Sequence, residues 1–137
     1  MIKILGIVAL GLSLTVNAYA KDFTGKKLRC TYKTSAKENN KYSAIEFLDE
    51  KKLTIYSIKT GDYSQWRIVN VTRVYEVTPN RINLIASTSY INRENLVFRR
   101  SGTKYRCDIA PDEWDIQDYL ETKLKELIAD QESKNIF

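Results

Sequence analysis

Two cysteines, Cys30 and Cys107, are the residues of this sequence best suited to form a covalent link. They occupy matching contexts, Leu28-x-Cys30 and Tyr105-x-Cys107, in which alternation along a strand turns each cysteine to the same side as an apolar neighbour. If the chain is exported, oxidising conditions favour a disulfide that joins the first and last strands of a β-rich body. The alternative is a pair of buried free thiols. A catalytic thiol is disfavoured, because no base lies near either cysteine.

The sequence contains no histidine, which is the usual general base near neutral pH and the commonest metal ligand. A Ser-His-Asp triad, a Cys-His pair and a histidine-containing zinc site are therefore excluded. Six carboxylates of the body are candidates for acid–base chemistry, but their spacing selects no pair: Glu46, Asp49, Glu50, Asp62, Glu76 and Glu94. The acidic residues from Asp108 onward match no calcium-binding loop. We predict no catalytic residues, no metal and no cofactor, and a protein that is not an enzyme.

Basic residues are concentrated in one part of the chain. Residues 21–107 contain 18 Lys and Arg against 8 Asp and Glu, whereas residues 108–137 contain 3 against 9. A Cys30–Cys107 bridge would place four outward-facing cations on neighbouring strands, with Arg99 as a further candidate: Arg29, Lys33, Lys104 and Arg106. This face would suit an acidic envelope protein or an anionic glycan, whereas nucleic acid is disfavoured. The alternative is a solvated surface that the acidic C-terminal segment partly neutralises.

Two further features have both a structural and a functional interpretation. Arg73 lies on a strand face otherwise made of Val and Tyr, where a β-bulge or a structural ion pair would explain it. Five aromatic residues suit core packing better than a sugar-stacking groove or an apolar cup: Tyr56, Tyr63, Trp66, Tyr75 and Tyr90.

Residues 1–20 have the three parts of a cleavable secretory signal. Lys3 supplies the positive start, residues 4–16 are apolar, and Ala18 and Ala20 occupy the positions that signal peptidase requires. As a helix the apolar run would cover only about 20 Å, short of the roughly 30 Å of a bilayer core. We therefore predict a periplasmic or secreted protein that begins at Lys21 and has no transmembrane anchor after cleavage.

The elements that would position these residues follow from the hydrophobic pattern. Period-two alternation predicts seven or eight short antiparallel strands within residues 21–110. The predicted strands are 28–33, 42–48, 53–59, 66–77, 81–88, 91–95 leading into 96–100, and 104–109. The predicted fold class is mainly β, as a small antiparallel barrel or sandwich.

After Pro111 the apolar spacing changes to three and four residues, which indicates a helix. Its apolar stripe consists of Ile116, Leu120, Leu124, Leu127 and Ile128. We predict an acidic amphipathic helix from about residue 111 to 133, within a C-terminal segment 111–137. This helix either docks on the β-body or pairs with another chain.

The frame Leu28-x-Cys30, the segment Tyr90-Ile91-Asn92-Arg93-Glu94-Asn95-Leu96 and the final Tyr105-x-Cys107 resemble a group of small exported bacterial proteins. Those proteins have a signal peptide, an I-N-R motif before a late strand, a second cysteine at the end of their β-body and no assigned activity. The resemblance covers about residues 1–107 and implies export, a β-architecture and paired cysteines, but no functional site. In size, export and disulfide the chain also looks like periplasmic lysozyme-inhibitor barrels, although their Ser/Gly-rich loop motif is missing.

Together these features predict an exported, non-enzymatic binding or structural module of the cell envelope. Its basic strand face would meet an acidic partner. The alternatives are an inhibitor or accessory subunit of an envelope enzyme, and a carrier of a small ligand.

Overall fold

The computed structural model of the chain describes residues 23–32, 42–59, 66–100 and 102–134. The predicted signal residues, with Ala18 and Ala20, lie outside the described residues, as do Lys33 and Tyr63. The described part is a closed antiparallel barrel of eight strands followed by one helix. The elements are β1 Lys27–Tyr32, β2 Tyr42–Phe47, β3 Lys52–Lys59, β4 Arg67–Val77, β5 Arg81–Leu84, β6 Tyr90–Asn92, β7 Val97–Arg100, β8 Thr103–Ile109 and α1 Ile116–Lys134. The predicted fold class is confirmed, and the architecture is the barrel.

Each strand pairs with its neighbour in sequence, and β1 also pairs with β8, which closes the barrel. In this last pairing Cys30 lies directly opposite Cys107, with the two Cα atoms 4.0 Å apart. The two cysteines form a disulfide, so the predicted bridge between the first and last strands is confirmed. The closure of the barrel is therefore covalent as well as hydrogen-bonded.

Strand alternation fills the interior of the barrel with apolar side chains. Among the described residues, thirteen buried side chains drawn from all eight strands form one cluster. Its largest members are at most 1% exposed: Ile45, Phe47, Leu53, Ile82, Ile91 and Phe98. The Phe47 and Tyr75 rings meet edge to face at 5.4 Å. The centre of the barrel is thus a packed core.

The helix α1 lies on the outside of the barrel, across β2, β3 and β4. Ile116, Leu120 and Leu127 are buried in a second cluster that also contains Ala44 and Ile58. The helix therefore docks on the β-body, as one of the two interpretations of its apolar stripe predicted. Within the ranges given above, no helix is both long and apolar enough to cross a bilayer.

The helix begins at Ile116 and not near Pro111. The Trp114 amide donates to the Pro111 carbonyl oxygen at 3.0 Å, which forms a turn before the helix. Asp115 then acts as the N-cap, because its Oδ1 accepts a hydrogen bond from the Asp118 amide at 3.0 Å. The predicted start of the helix at about residue 111 is therefore wrong, because this turn and the cap precede the first helical residue.

The short strand β5 explains the position of Arg73. β5 ends at Leu84, before a turn in which Ala86 has a φ of 59°, so it pairs only with Tyr75–Val77 of β4. The first part of β4 pairs with β3 alone, in a register that runs unbroken through Arg73 opposite Leu53. The predicted β-bulge is therefore wrong. Arg73 is exposed because β5 does not extend beside it.

Candidate functional site

Arg29 differs from Lys104 and Arg106 because its charge is paired with a carboxylate. Arg29 Nε donates to Asp108 Oδ1 at 3.2 Å, and Arg29 Nη2 donates to Asp108 Oδ2 at 2.5 Å. The hydrogen bond to this carboxylate raises the pKa of the Arg29 guanidinium. The same guanidinium lies 5.7 Å from the centre of the Trp114 ring. Arg29 therefore connects β1, β8 and the segment before the helix, and its charge is already paired.

Lys104 and Arg106 are exposed on the outer face of β8, as the alternation predicted. Arg99 of β7 lies directly opposite Lys104, and Tyr90 of β6 lies opposite Arg99. Arg81 of β5 places its guanidinium 4.1 Å from the centre of the Tyr90 ring, in cation–π contact. We call these residues of the outer surface the basic face: Arg81, Tyr90, Arg99, Lys104 and Arg106.

The cations of the basic face have no carboxylate partner among the described residues. The salt bridges among the described residues lie elsewhere and join Arg29 to Asp108, Lys123 to Glu126 and Lys134 to Asp130. Like charges directly opposite each other on neighbouring strands destabilise a sheet. Arg99 and Lys104 are such a pair, and the described part of the fold does not offset their repulsion. This property makes the basic face the candidate anion-binding site.

The acidic helix lies on another part of the barrel surface. Residues 111–134 contain 8 Asp and Glu against 3 Lys, and α1 packs on β2, β3 and β4. The basic face belongs to β5, β6, β7 and β8. The described helix therefore does not cover the basic face, and the two charged surfaces are carried by different strands.

The described aromatic residues do not line one groove. Tyr75 is buried in the barrel core, and its hydroxyl donates to the Asp49 carbonyl oxygen at 2.6 Å. Burial raises the pKa of Tyr75 to about 12, with a contribution from the Asp49 and Glu50 charges. Tyr56 and Trp66 pack beneath α1, and Tyr90 belongs to the basic face. Core packing therefore explains Tyr75, whereas Tyr56 and Trp66 contribute to helix docking and Tyr90 makes a surface contact.

In the described ranges no group of three or more Cys, Asp or Glu side chains is arranged to hold a metal ion. Arg81 was not among the residues selected from the sequence, and Tyr90 was selected only as an aromatic residue, without a connection to the cations. Their signal was present in the alternation of β5 and β6, because Ile82 and Ile91 are buried between outward-facing neighbours.

No protein-family model, curated protein or solved structure matches the chain. Its function must therefore be inferred from its own surface, and the basic face is the part of that surface with the clearest chemistry.

Proposed function

We propose that the protein is an exported, non-enzymatic binding module whose basic face holds an acidic protein of the cell envelope. The observation that carries this proposal is the position of Arg99 directly opposite Lys104, without a carboxylate partner among the described residues. Arg106 follows Lys104 on the same face of β8. Carboxylates of a partner would offset the electrostatic repulsion between these cations, so that binding would also stabilise this part of the sheet.

The composition of the basic face suits carboxylate recognition. Arginine presents a planar fork of donors that matches a carboxylate, and three of the four cations are arginines. The Arg81–Tyr90 contact adds an aromatic surface at the edge of the cationic row. Tyr and Arg are enriched in the energetically important parts of protein interfaces. These features favour a protein surface as the ligand over an anionic glycan.

Export is part of the proposal and is supported by the signal-like residues 1–20. The resemblance of Leu28-x-Cys30 and the Tyr90–Leu96 segment to small exported bacterial proteins supports the same location. A disulfide between Cys30 and Cys107 is in keeping with an oxidising compartment.

A charge-reversal experiment tests the proposal. The double variant Arg99→Glu and Lys104→Glu changes the centre of the basic face. Lys51→Glu with Lys52→Glu changes the net charge equally at two exposed positions, the end of the β2–β3 turn and the start of β3. We expect the first variant to bind fluorescent poly-L-glutamate at least about tenfold more weakly than wild type. The turn variant should stay within about twofold.

Equal weakening in the two variants would show that net charge alone attracts the polyanion, which would contradict a localised site. Unchanged binding in the basic-face variant would do so as well. Heparin serves as a parallel ligand. If heparin binds to the basic face and poly-L-glutamate does not, the partner is an anionic glycan and the protein-binding proposal is wrong.

A further inference from the structure

One end of the barrel contains an apolar cavity of about 310 Å³, which we call the mouth cavity. It opens where β1 and β5 begin and where β8 ends. Six of its seven lining residues are apolar: Phe23, Leu28, Phe47, Ile82, Leu96 and Ile109. The volume falls at the lower end of the roughly 300–1,000 Å³ that small-molecule pockets occupy. The cavity and the basic face share no residue.

The mouth cavity continues the apolar core of the barrel. Leu28, Phe47 and Ile82 form its floor and are at most 3% exposed. Ile109 continues the alternation of the buried Tyr105 and Cys107, so it belongs to the inward side of β8. It is nevertheless 57% exposed, because no described side chain covers it at the end of the barrel. An open cavity lined mainly by apolar side chains is the type of site that small ligands occupy.

The walls of the cavity are fixed by specific contacts. The Phe23 ring lies 5.4 Å from the Phe47 ring, and the Arg93 guanidinium lies 5.2 Å from the centre of the Phe23 ring. Leu96 has a φ of 56°, a left-handed conformation that non-glycine residues rarely adopt. Its amide donates to the Asn92 carbonyl oxygen at 2.8 Å, and its own carbonyl oxygen accepts from the Cys107 amide at 3.0 Å. Backbone strain of this kind is concentrated at functional sites, including ligand clamps.

Among the described residues, Lys26 is the only charged residue that lines the mouth cavity. Alternation places Lys26 on the same side as Leu28, whereas the intervening Lys27 points outward and donates to the carbonyl oxygens of Asp112 and Trp114. Lys26 is exposed at the rim, and no acidic side chain from the described part of the chain lines the cavity. The electrostatic preference is therefore for an anionic group at the rim and an apolar group inside.

We propose that the mouth cavity binds a small amphipathic carboxylate, with its apolar body against Leu28 and Ile109 and its carboxylate beside Lys26. The cavity supplies the apolar contacts that hold such a ligand, and Lys26 distinguishes an anion from a cation of the same shape. This site shares no residue with the basic face and does not depend on the proposed function.

Decanoate and decyltrimethylammonium, both below their micellar concentrations, are the probes. They carry the same tail with opposite charge. In amide NMR spectra of the oxidised protein without residues 1–20, we expect decanoate to perturb Phe23, Leu28, Leu96 and Ile109 first. Lys26→Met should weaken decanoate binding by about fivefold, as expected for one partly exposed ion pair. Lys26→Glu should reverse the preference in favour of the cation.

Ile109→Asp places a negative charge in the mouth cavity at an exposed position and should abolish decanoate binding. Lys104→Glu, on the basic face, is the control and should leave the decanoate affinity within twofold. If Ile109→Asp fails to fold, the Lys26 variants still decide the matter. Equal affinity of the wild type for the two probes, or decanoate binding unaffected by Lys26→Glu, would overturn the proposal. Conversion of a wild-type dimer to a monomer by Ile109→Asp, without decanoate binding, would identify a self-association surface instead.

Discussion

At the residue scale, the Cys30–Cys107 disulfide links two residues 77 positions apart on the strands that close the barrel. A loop of this length restricts the unfolded chain, and the chain-entropy model gives an upper value of about 4.5 kcal/mol. We expect Cys30→Ala with Cys107→Ala to lower the free energy of unfolding by about 3 kcal/mol. Urea denaturation of the oxidised wild type and the variant measures the difference. A change below about 0.5 kcal/mol would show that the strand pairing alone closes the barrel.

The buried Tyr75 hydroxyl gives a prediction for alkaline pH. Its pKa is raised from 10.0 to about 12 by burial and by the nearby Asp49 and Glu50 charges. Because the folded state favours the neutral phenol, the resulting stability is fully present below pH 10 and is lost as pH rises toward 12. We expect the unfolding free energy of wild type to fall more steeply over this range than that of Tyr75→Phe. Parallel pH profiles of the two proteins would contradict this assignment.

Individual site residues could be predicted from the sequence where strand alternation alone decides their direction. Alternation correctly turned Lys104 and Arg106 outward. The same alternation along β8 also predicts that Asp108 points outward. Because Cys30 pairs with Cys107, Asp108 must then lie directly opposite Arg29. The ion pair of Arg29 was therefore within reach of the sequence. The cation–π contact of Arg81 with Tyr90 was not, because it requires the register of β5 on β6.

At the scale of elements, local patterns identified the strands and the helix, and distant contacts set several of their ends. Pro111 and the acidic residues after it suggested an early helix start. However, Lys27 Nζ donates to the carbonyl oxygens of Asp112 at 3.1 Å and Trp114 at 2.8 Å. These bonds hold the segment against β1, so the helix begins only after the Asp115 cap. The partner lies more than eighty residues earlier in the chain, where no local pattern indicates it.

The docking of α1 on the barrel predicts the effect of truncating its central apolar residue. Leu120 is 0% exposed within the second cluster. We expect Leu120→Ala to lower the free energy of unfolding by about 3 kcal/mol, through lost apolar contacts and the cavity that remains. Lys125→Ala, at an exposed position of the same helix, should change it by less than about 0.5 kcal/mol. Similar denaturation midpoints for wild type and Leu120→Ala would show that the helix contributes little to stability.

At the scale of the whole molecule, the choice between barrel and sandwich depends on the pairing of β1 with β8. Short-range alternation is the same in both architectures, so only the predicted disulfide pointed to this closure. Closure also determines the distribution of charge. It sets the basic face on β5 to β8, while the acidic helix packs on β2 to β4. In the proposed function, such a separation of charge would orient an approaching acidic partner and accelerate its association.

The secretory signal predicted in residues 1–20 implies a defined mature terminus. When the precursor is expressed with residues 1–20 in a bacterium, we expect the periplasmic fraction to contain a protein that begins at Lys21. Intact-mass measurement and N-terminal sequencing identify that terminus. Retention of residues 1–20, or cleavage elsewhere, would contradict the assignment of Ala18 and Ala20 to the signal-peptidase site.

The position at which a polyanion binds tests the central claim most directly. An isotope-labelled protein that begins at Lys21 can be titrated with a short poly-L-glutamate while its amide NMR signals are followed. We predict that the largest shifts map to Tyr90, Arg99, Lys104 and Arg106, and that they diminish as salt rises toward about 0.15 M. Largest shifts at Lys51 and Lys52, or no localised shifts at low salt, would contradict an acidic-partner site on the basic face.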